Sequence, residues 1–467
     1  MKHIFIVLLM LSVPMIGLAD DISTQSSSPA TQNVQPDIIH LKIKHRINDG
    51  NFLQAETSSL TIKRFQSKPS LLLKLVRDSL SKHLQVLPVK INTELDLLLD
   101  KTKLSTISIA TNIDQDGKGI SDVILPAYKF SNNETAFAWN GLKSHLTFTD
   151  NFTNLIADTK FAKLNITKKD KLFITLDGID IYSVFDADLQ PSKLQVNIPS
   201  LQVQENDNTV NLQNLIAKID IKKIATGLEI GNLTLQLKHI DFTENNITTN
   251  LNNLHLVTDT QEQNDVINFN LQANTDQIEL SEAMGSGLGN IMQTGNISLH
   301  NLDTSSLLIL QKKFHRLHDN PMAAFIMFSA LMEVAPNFLA KSPEIKLNQL
   351  LIKTAKGNLQ GDFRIGLDGS KAKRLLLPVL FNALTAEANL TINKKLLEQA
   401  MINHFQQTLD NKKSAEDAKV AAEKQIKTYL ASKILVEIAD NYKLIASFNN
   451  GKLLVNGQEM SLSDLTN

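Results

Sequence analysis

The sequence predicts an α+β protein that is mainly β, with long antiparallel curved sheets, helices packed on one side, and a helical C-terminal section ending in a β-hairpin. Apolar residues alternate with polar ones in much of residues 194–310, as in Leu194, Val196 and Ile198. A period of two is typical of a strand with one buried face. Helical spacing appears before residue 84 and again after residue 303, and Asn450-Gly451 near the end is a strong hairpin signal.

The composition excludes several classes of function. With 42% apolar and 20% charged residues, the 467-residue chain is ordinary for a globular protein. A net charge of −1 and an aromatic content of 5% argue against a nucleic-acid-binding protein, which needs basic patches and stacking platforms. The absence of cysteine excludes disulfides, thiolate metal sites and thiol nucleophiles.

Residues 1–19 are predicted to be a secretory signal peptide. Lys2 supplies the positive start, an apolar run begins at Ile4, and Gly17 and Ala19 place small residues before a cleavage site. The apolar reach ends at residue 18 and is shorter than the ~20 residues of a membrane span. We therefore expect export and cleavage, with an uncleaved N-terminal anchor as the alternative. Residues 20–36, rich in Ser, Thr, Gln and Pro, are predicted to be a disordered leader.

Residues 37–305 are predicted to be an antiparallel β region with one early helix. A first hairpin turns at residues 48–50, and Ser70 opens a helix that reaches about Leu84. Further strands follow from Val89, with a hairpin turn at residues 116–119. Asn-Leu or Asn-Ile pairs then recur at Asn214, Asn232, Asn253, Asn296 and Asn301. Their spacing is too irregular for a solenoid or propeller and favours a long antiparallel meander.

Residues 306–467 are predicted to be a mixed helix and strand region, continuous with the same sheet. Helical spacing covers residues 303–318, an apolar stretch follows at residues 322–332, and Pro343 ends that segment. A hairpin turns at Lys356-Gly357. Two more helices are predicted at residues 394–409 and 414–440, and the chain closes with the hairpin at residues 449–451.

An ordered set of motifs resembles the YdgA-like family of Gram-negative envelope proteins, a family of unknown function. The likeness covers nearly everything after the leader. It implies export to the periplasm, often with an N-terminal membrane anchor, from which the short apolar N-terminus departs; it brings no catalytic residues. The matching motifs are Asp116-Gly117-Lys118-Gly119, Trp139-Asn140-Gly141-Leu142, Ile198-Pro199-Ser200-Leu201, Thr226-Gly227-Leu228-Glu229-Ile230-Gly231, Asn301-Leu302-Asp303 and Asn450-Gly451-Lys452-Leu453-Leu454-Val455-Asn456-Gly457.

Four polar or glycine-rich groups admit a chemical interpretation, but each is explained without one. The glycine-rich loop lacks the Lys-Ser of a phosphate cradle, and the calcium-like loop lacks ligands at two places. The histidine pair has no third ligand nearby, and the paired aspartates fit a strand end. We predict no catalytic, cofactor-binding or metal-binding residue and no enzyme activity. The groups are residues 285–289, residues 114–119, His315 with His318, and Asp186 with Asp188.

The apolar stretch at residues 322–332 is the one feature for which a function competes with a structural role. It predicts either a helix buried against the sheet or a helix that covers an apolar groove or lies on a membrane surface. Methionine suits adaptable apolar contacts. The candidate groove or lid residues are Met322, Phe325, Ile326, Phe328 and Met332.

These features predict an exported, non-enzymatic envelope protein, periplasmic after signal cleavage or held in the inner membrane by an uncleaved anchor. The first hypothesis is a structural or interaction scaffold. The alternative is a protein that binds or transfers lipid or acyl chains in an apolar β-groove; a secreted effector or an unrecognised enzyme is the third. Envelope lipid and another envelope protein are both candidate partners, membrane association and a homo-oligomer stay open, and no cofactor or nucleic acid is expected.

Overall fold

The chain folds mainly into antiparallel strands. The computed structural model describes residues 38–461 except 62–69, 83, 85, 100–101, 150–152, 170–171, 188, 245–246, 280–290, 315–322, 373–376 and 409–414. It is 62% strand, with six helices in this described part and a C-terminal helix followed by strands. The predicted fold class is therefore confirmed. The expected signal peptide and leader, residues 1–36, lie outside the described residues.

The chain divides into two compact units, Met1–Asn206 with Gln213–Asp220 and Asp207–Leu212 with Ile221–Asn467. Strand β14 (Asn208–Lys223) contributes residues to both, and the predicted division at residue 305 stays a prediction. The other elements of the first unit are β1 (Ile38–Ile47), β2 (Glu56–Thr61), α1 (Ser70–Ser81), β3 (Val89–Leu99), β4 (Thr102–Ile113), β5 (Gly119–Leu125), β6 (Tyr128–Ser131), β7 (Thr135–Trp139), β8 (Leu142–Thr149), β9 (Thr153–Phe161), β10 (Leu164–Lys168), β11 (Leu172–Leu176), β12 (Ile179–Phe185) and β13 (Pro191–Glu205).

The first unit encloses a large apolar core. Alternate residues of β1, β3 and β4 meet alternate residues of β7, β10 and β11 in one cluster of buried side chains. Trp139 is fully buried there, with its ring 5.0 Å from that of Phe161. Leu41 and Leu95, which belong to the same cluster, are each 1% exposed. The alternating apolar residues of these strands are therefore buried together in one core.

A buried histidine ties helix α1 to the sheet of the first unit. His45 on β1 has its Nδ1 2.8 Å from Thr93 Oγ1 and its Nε2 2.7 Å from Ser79 Oγ. Ser79 in turn donates to Glu56 Oε2 at 3.2 Å, and Lys82 donates to the same carboxylate at 2.9 Å. The hydrogen bond from Lys82 is the main cause that lowers the pKa of Glu56. Buried polar groups that are hydrogen-bonded in this way fix how the helix sits on the strands.

The second unit is a continuous antiparallel ladder from β15 to β21, followed by β23. Strands β22 and β24 share the other edge of β23, and β25 adds to β24. The predicted meander is confirmed from β15 to β18. The elements are β15 (Glu229–Glu244), β16 (Ile247–Gln263), β17 (Val266–Glu279), β18 (Ile291–Asp303), α2 (Thr304–Phe314), α3 (Ala323–Ala340), β19 (Glu344–Thr354), β20 (Gly357–Leu367), α4 (Leu377–Ala383), β21 (Leu384–Asn393), α5 (Lys394–Thr408), α6 (Ala415–Ala431), β22 (Val436–Ile438), β23 (Asn441–Asn449), β24 (Lys452–Val455) and β25 (Gln458–Met460).

Some of the recurring asparagines adopt a left-handed backbone conformation inside strands. Asn214, Asn253 and Asn301 have φ of 49°, 52° and 60°. At Asn301 the ladder between β17 and β18 shifts by one residue, since Ile267 pairs with Leu302 but Phe269 pairs with Leu299. Asn301 is therefore part of a β-bulge, and asparagine tolerates the positive φ better than most residues.

The C-terminal helix is shorter than predicted. The helix expected at residues 414–440 ends at Ala431, and the expectation was wrong for the remainder. Lys433 takes a φ of 59°, and the backbone N–H of Leu435 donates to the carbonyl of Tyr429 at 3.1 Å. A left-handed residue with this hydrogen bond terminates a helix. The freed residues Val436–Ile438 then pair with β23 as strand β22.

We expect Asn301→Ala to lower the free energy of unfolding by about 1–3 kcal/mol, because alanine resists the positive φ and loses the side-chain hydrogen bond to Ser342. The Asn301 side chain donates to the carbonyl of Ser342 at 3.1 Å, and its backbone N–H donates to Asn268 Oδ1 at 3.0 Å. Asn301→Gly should cost less, since glycine adopts this φ freely. Urea unfolding of the full chain measures both. The exposed strand residue Asn358 is the matched control, and an equal loss in Asn358→Ala would contradict the special role of the bulge.

Candidate functional site

The second unit carries one apolar sheet face that crosses six strands. Directly paired residues of an antiparallel ladder point to the same face, so the register alone defines this surface. We call it the apolar face. One row runs through Leu271, Ile297, Leu347, Phe363, Ala388 and Ala446, and the neighbouring row runs through Phe269, Leu299, Ile345, Ile365, Ala386 and Phe448.

The middle of the apolar face is open to solvent. Ile297, Ile345 and Ile365 are 41%, 47% and 36% exposed, although all three lie in the centre of the two rows. Exposed aliphatic residues that adjoin one another on one surface are a feature of binding sites. The chain therefore presents a hydrocarbon surface where its sequence pattern alone would suggest a buried core.

The helices in the described part of the chain cover the ends of the apolar face. Where β18 ends, Ile267 is buried with Leu307 and Leu308 of α2. At the same strand ends, Phe381 of α4 meets Phe448 edge to face, with ring centroids 4.9 Å apart. At the opposite ends of these strands, α5 contacts β20 and β21 and packs against α6.

The opposite face of the same sheet is polar and charged. Ser298, Lys346, Arg364 and Glu387 pair in a row, and the largely buried carboxylate of Glu344 binds Arg364 and, at 2.8 Å, Lys346. Such an ion-pair network neutralises its own charges. It leaves this face without an excess of one sign.

A polar cavity of about 250 Å³ lies on this polar face beside a second bulge. Asn348 is the extra residue of β19, and its side-chain amide donates to Asn296 Oδ1 at 3.1 Å and to Ser298 Oγ at 2.9 Å. Amide and carboxylate side chains line the cavity, among them those of Gln360, Asp362 and Asn389. Burial and then the charge of Lys346 lower the pKa of the neighbouring His300. The Ser298 hydroxyl oxygen lies 2.9 Å from Nε2 of this imidazole.

Helix α3 contains four of the five candidate groove or lid residues, and Met322 lies outside the described residues. Phe325, Phe328 and Met332 are 64%, 63% and 48% exposed, whereas Ile326 is half-buried. Phe325, Phe328 and Met332 recur three or four residues apart and so share one helix face.

The sequence reasoning missed one member of this face, Leu331, which is 49% exposed. We call Phe325, Phe328, Leu331 and Met332 the α3 stripe. The other face of α3 buries Ala330 and Val334. The helix is therefore apolar on both sides, and its hydrophobicity alone does not indicate which side meets the protein.

Two of the other polar groups singled out in the sequence form turns. Asp114 Oδ1 accepts the backbone N–H groups of Asp116 and Lys118, so its carboxylate closes the β4–β5 hairpin. Asp186 accepts the N–H of Gln190 after β12. His315, His318, Asp188 and residues 285–289 lie outside the described residues. Within the described ranges no three His, Asp or Glu side chains gather as metal ligands.

The fold and the open face define a class: a mainly β protein with an unfilled apolar sheet surface and end-capping helices. A family of bacterial proteins of unknown function (DUF945) matches residues 170–463. The chain belongs to this family. Neither curated proteins nor solved structures give a match. Among the described residues, every helix falls short of the length or hydropathy needed to cross a bilayer.

We expect the double substitution Phe325→Ser with Phe328→Ser to change the free energy of unfolding by less than about 0.5 kcal/mol, because the two rings are mostly exposed. Val334→Ala on the buried side of α3 should cost roughly 1–3 kcal/mol through the cavity it leaves. Chemical denaturation of the full chain measures both. A large loss in the double variant would mean that the stripe belongs to the protein core.

Proposed function

We propose that the protein is an exported envelope protein that binds acyl chains on the open apolar face of its second unit. The observation that carries the proposal is the exposure of Ile297, Ile345 and Ile365 in the centre of two apolar rows. Each methylene of a ligand buried there would contribute about 0.8 kcal/mol.

The dimensions of the apolar face suit an extended hydrocarbon chain. The row from Leu271 to Ala446 crosses six strands. At a strand spacing of ~4.8 Å this row is about 24 Å long. One leaflet of a bilayer core is about 15 Å thick, so an acyl chain fits along the row. Helices at both strand ends would limit the width of what binds, because they bound the apolar face in the direction of the strands.

Export rests on the N-terminal sequence and on the resemblance to the YdgA-like envelope proteins. Residues 1–19 have the charge, apolar run and small residues of a secretory signal. The lipid-rich envelope supplies the acyl chains that the open face would bind. We assign no reaction to the protein.

The proposal is tested by native mass spectrometry of protein purified without detergent. We expect the wild-type chain to carry phospholipid and the variant Ile345→Asn with Ile365→Asn to lose at least tenfold of it, because two amides would replace aliphatic contacts with the chain.

The matched control is Ile445→Asn with Leu454→Asn. These aliphatics are 46% and 40% exposed on the opposite face, since Ile445 pairs with Asn389 and Leu454 with Ser447. This control should keep its lipid. Wild-type protein without lipid, or equal loss in both double variants, would remove the proposal.

A scaffold for another envelope protein is the second candidate function, and a different surface favours it. Val436, Ile438, Ile445 and Leu454 are all exposed on the polar side of the sheet, on the three strands β22, β23 and β24. Apolar residues clustered at a sheet margin are a common protein-binding feature. The two candidate functions thus use opposite faces of one sheet.

A further inference from the structure

The α3 stripe is the most exposed apolar surface in the two-helix segment formed by α2 and α3. The helices pack against each other, and Phe314 in the last turn of α2 adds a ring that is 67% exposed. Five large apolar side chains are therefore presented to solvent from one helical pair. Their number exceeds what scattered surface residues of a soluble protein would give.

The charges around the stripe suit an anionic surface. Glu333 is the only charged residue within α3, and Lys313 of α2 binds it. Lys312 in the last turn of α2 and Lys341 directly after α3 bring the described residues from 303 to 341 to three lysines against two carboxylates, and the charge of Lys341 helps to lower the pKa of one of these, Asp303. The whole chain has a net charge of −1, so this segment is locally basic. Aromatic and aliphatic side chains beside lysines are typical of helices that lie in a membrane interface.

Helices α2 and α3 are connected to strands at one end of the apolar face. Helix α2 begins directly after the last residue of β18, and three residues separate the end of α3 from the first residue of β19. Both helices therefore occupy the strand ends at which Ile267 and Leu302 meet α2. A lipid surface touching the stripe would bring acyl chains to this end of the apolar face.

We propose that the α3 stripe docks the protein on a membrane surface that contains anionic lipid. The helix lies in the interface with Phe325, Phe328, Leu331 and Met332 among the acyl chains, while Lys312 meets the phosphates. The use of this docking to load the apolar face rests on the proposed function, but the docking itself does not.

The experiment is co-sedimentation of the full chain with vesicles of equal parts phosphatidylethanolamine and phosphatidylglycerol. We expect Phe325→Ser with Phe328→Ser to weaken binding at least tenfold, because two rings leave the interface. Phe242→Ser with Met292→Ala removes two apolar side chains that are 42% and 38% exposed elsewhere in the second unit, and it should bind as the wild type does. Unchanged binding in the stripe variant would overturn the proposal.

A label on the helix separates this docking from any attachment through the N-terminal apolar run. The chain has no cysteine, so Ser329→Cys, exposed at the edge of the stripe, takes a single environment-sensitive fluorophore. With the same vesicles we expect a blue shift and quenching by brominated acyl chains, whereas a label at Lys427→Cys on α6 should show neither. A label at residue 329 that stays in water, or that shifts only on adding another envelope protein, would refute lipid docking.

The two proposals fail separately. The variant Ile345→Asn with Ile365→Asn should still sediment with vesicles, although it loses its bound lipid. Vesicle binding by a wild-type chain that carries no co-purified lipid would leave the docking intact and remove the acyl-chain function. Co-purified lipid in a wild-type chain that does not bind vesicles would remove the docking alone.

Discussion

Direct cross-strand pairing of apolar residues is the constraint on which the second unit depends. Each pair fixes two residues to one face, so a register carried through successive strands merges their separate alternations into one surface. A slip of one residue would turn an entire strand over. The bulge at Asn301 is therefore a requirement rather than a defect, because the extra residue keeps both Leu299 and Leu302 on the face that their partners occupy.

Apolar and polar residues alternate along the strands of both units, but the apolar residues are buried in the first unit and partly exposed in the second. In the first unit, strands from two parts of the chain enclose a shared core, and residues such as Leu41 and Trp139 are almost completely buried. In the second unit the buried clusters are small and lie at the strand ends, around Ile267 and around Phe448. Its hydrogen-bonded ladder and these end clusters hold the sheet, which leaves the aliphatic centre free to bind something else.

Sequence reasoning succeeded where local chemistry decides the structure. The hairpins at Asn48-Asp49 and Asn450-Gly451 follow from residues that adopt positive φ, and the strands follow from period-two alternation. Whether the apolar face is filled was not readable, because this depends on helices that lie at the strand ends and do not reach Ile345. The end of α6 was missed because a lysine, Lys433, takes the left-handed position that glycine usually signals.

Helix α3 illustrates the same limit and also what the structure adds. A helix with Ala330 and Val334 on one side and Phe325 and Phe328 on the other is apolar all round, so no periodicity identifies its buried side. The small residues are the buried ones because they allow close packing, whereas the large rings project outward. A helix that needed only to cap the sheet would lose nothing by carrying polar residues there. Rings on its outer side are useful only if something apolar meets them, and the neighbouring lysines favour a surface of anionic lipid over bare hydrocarbon.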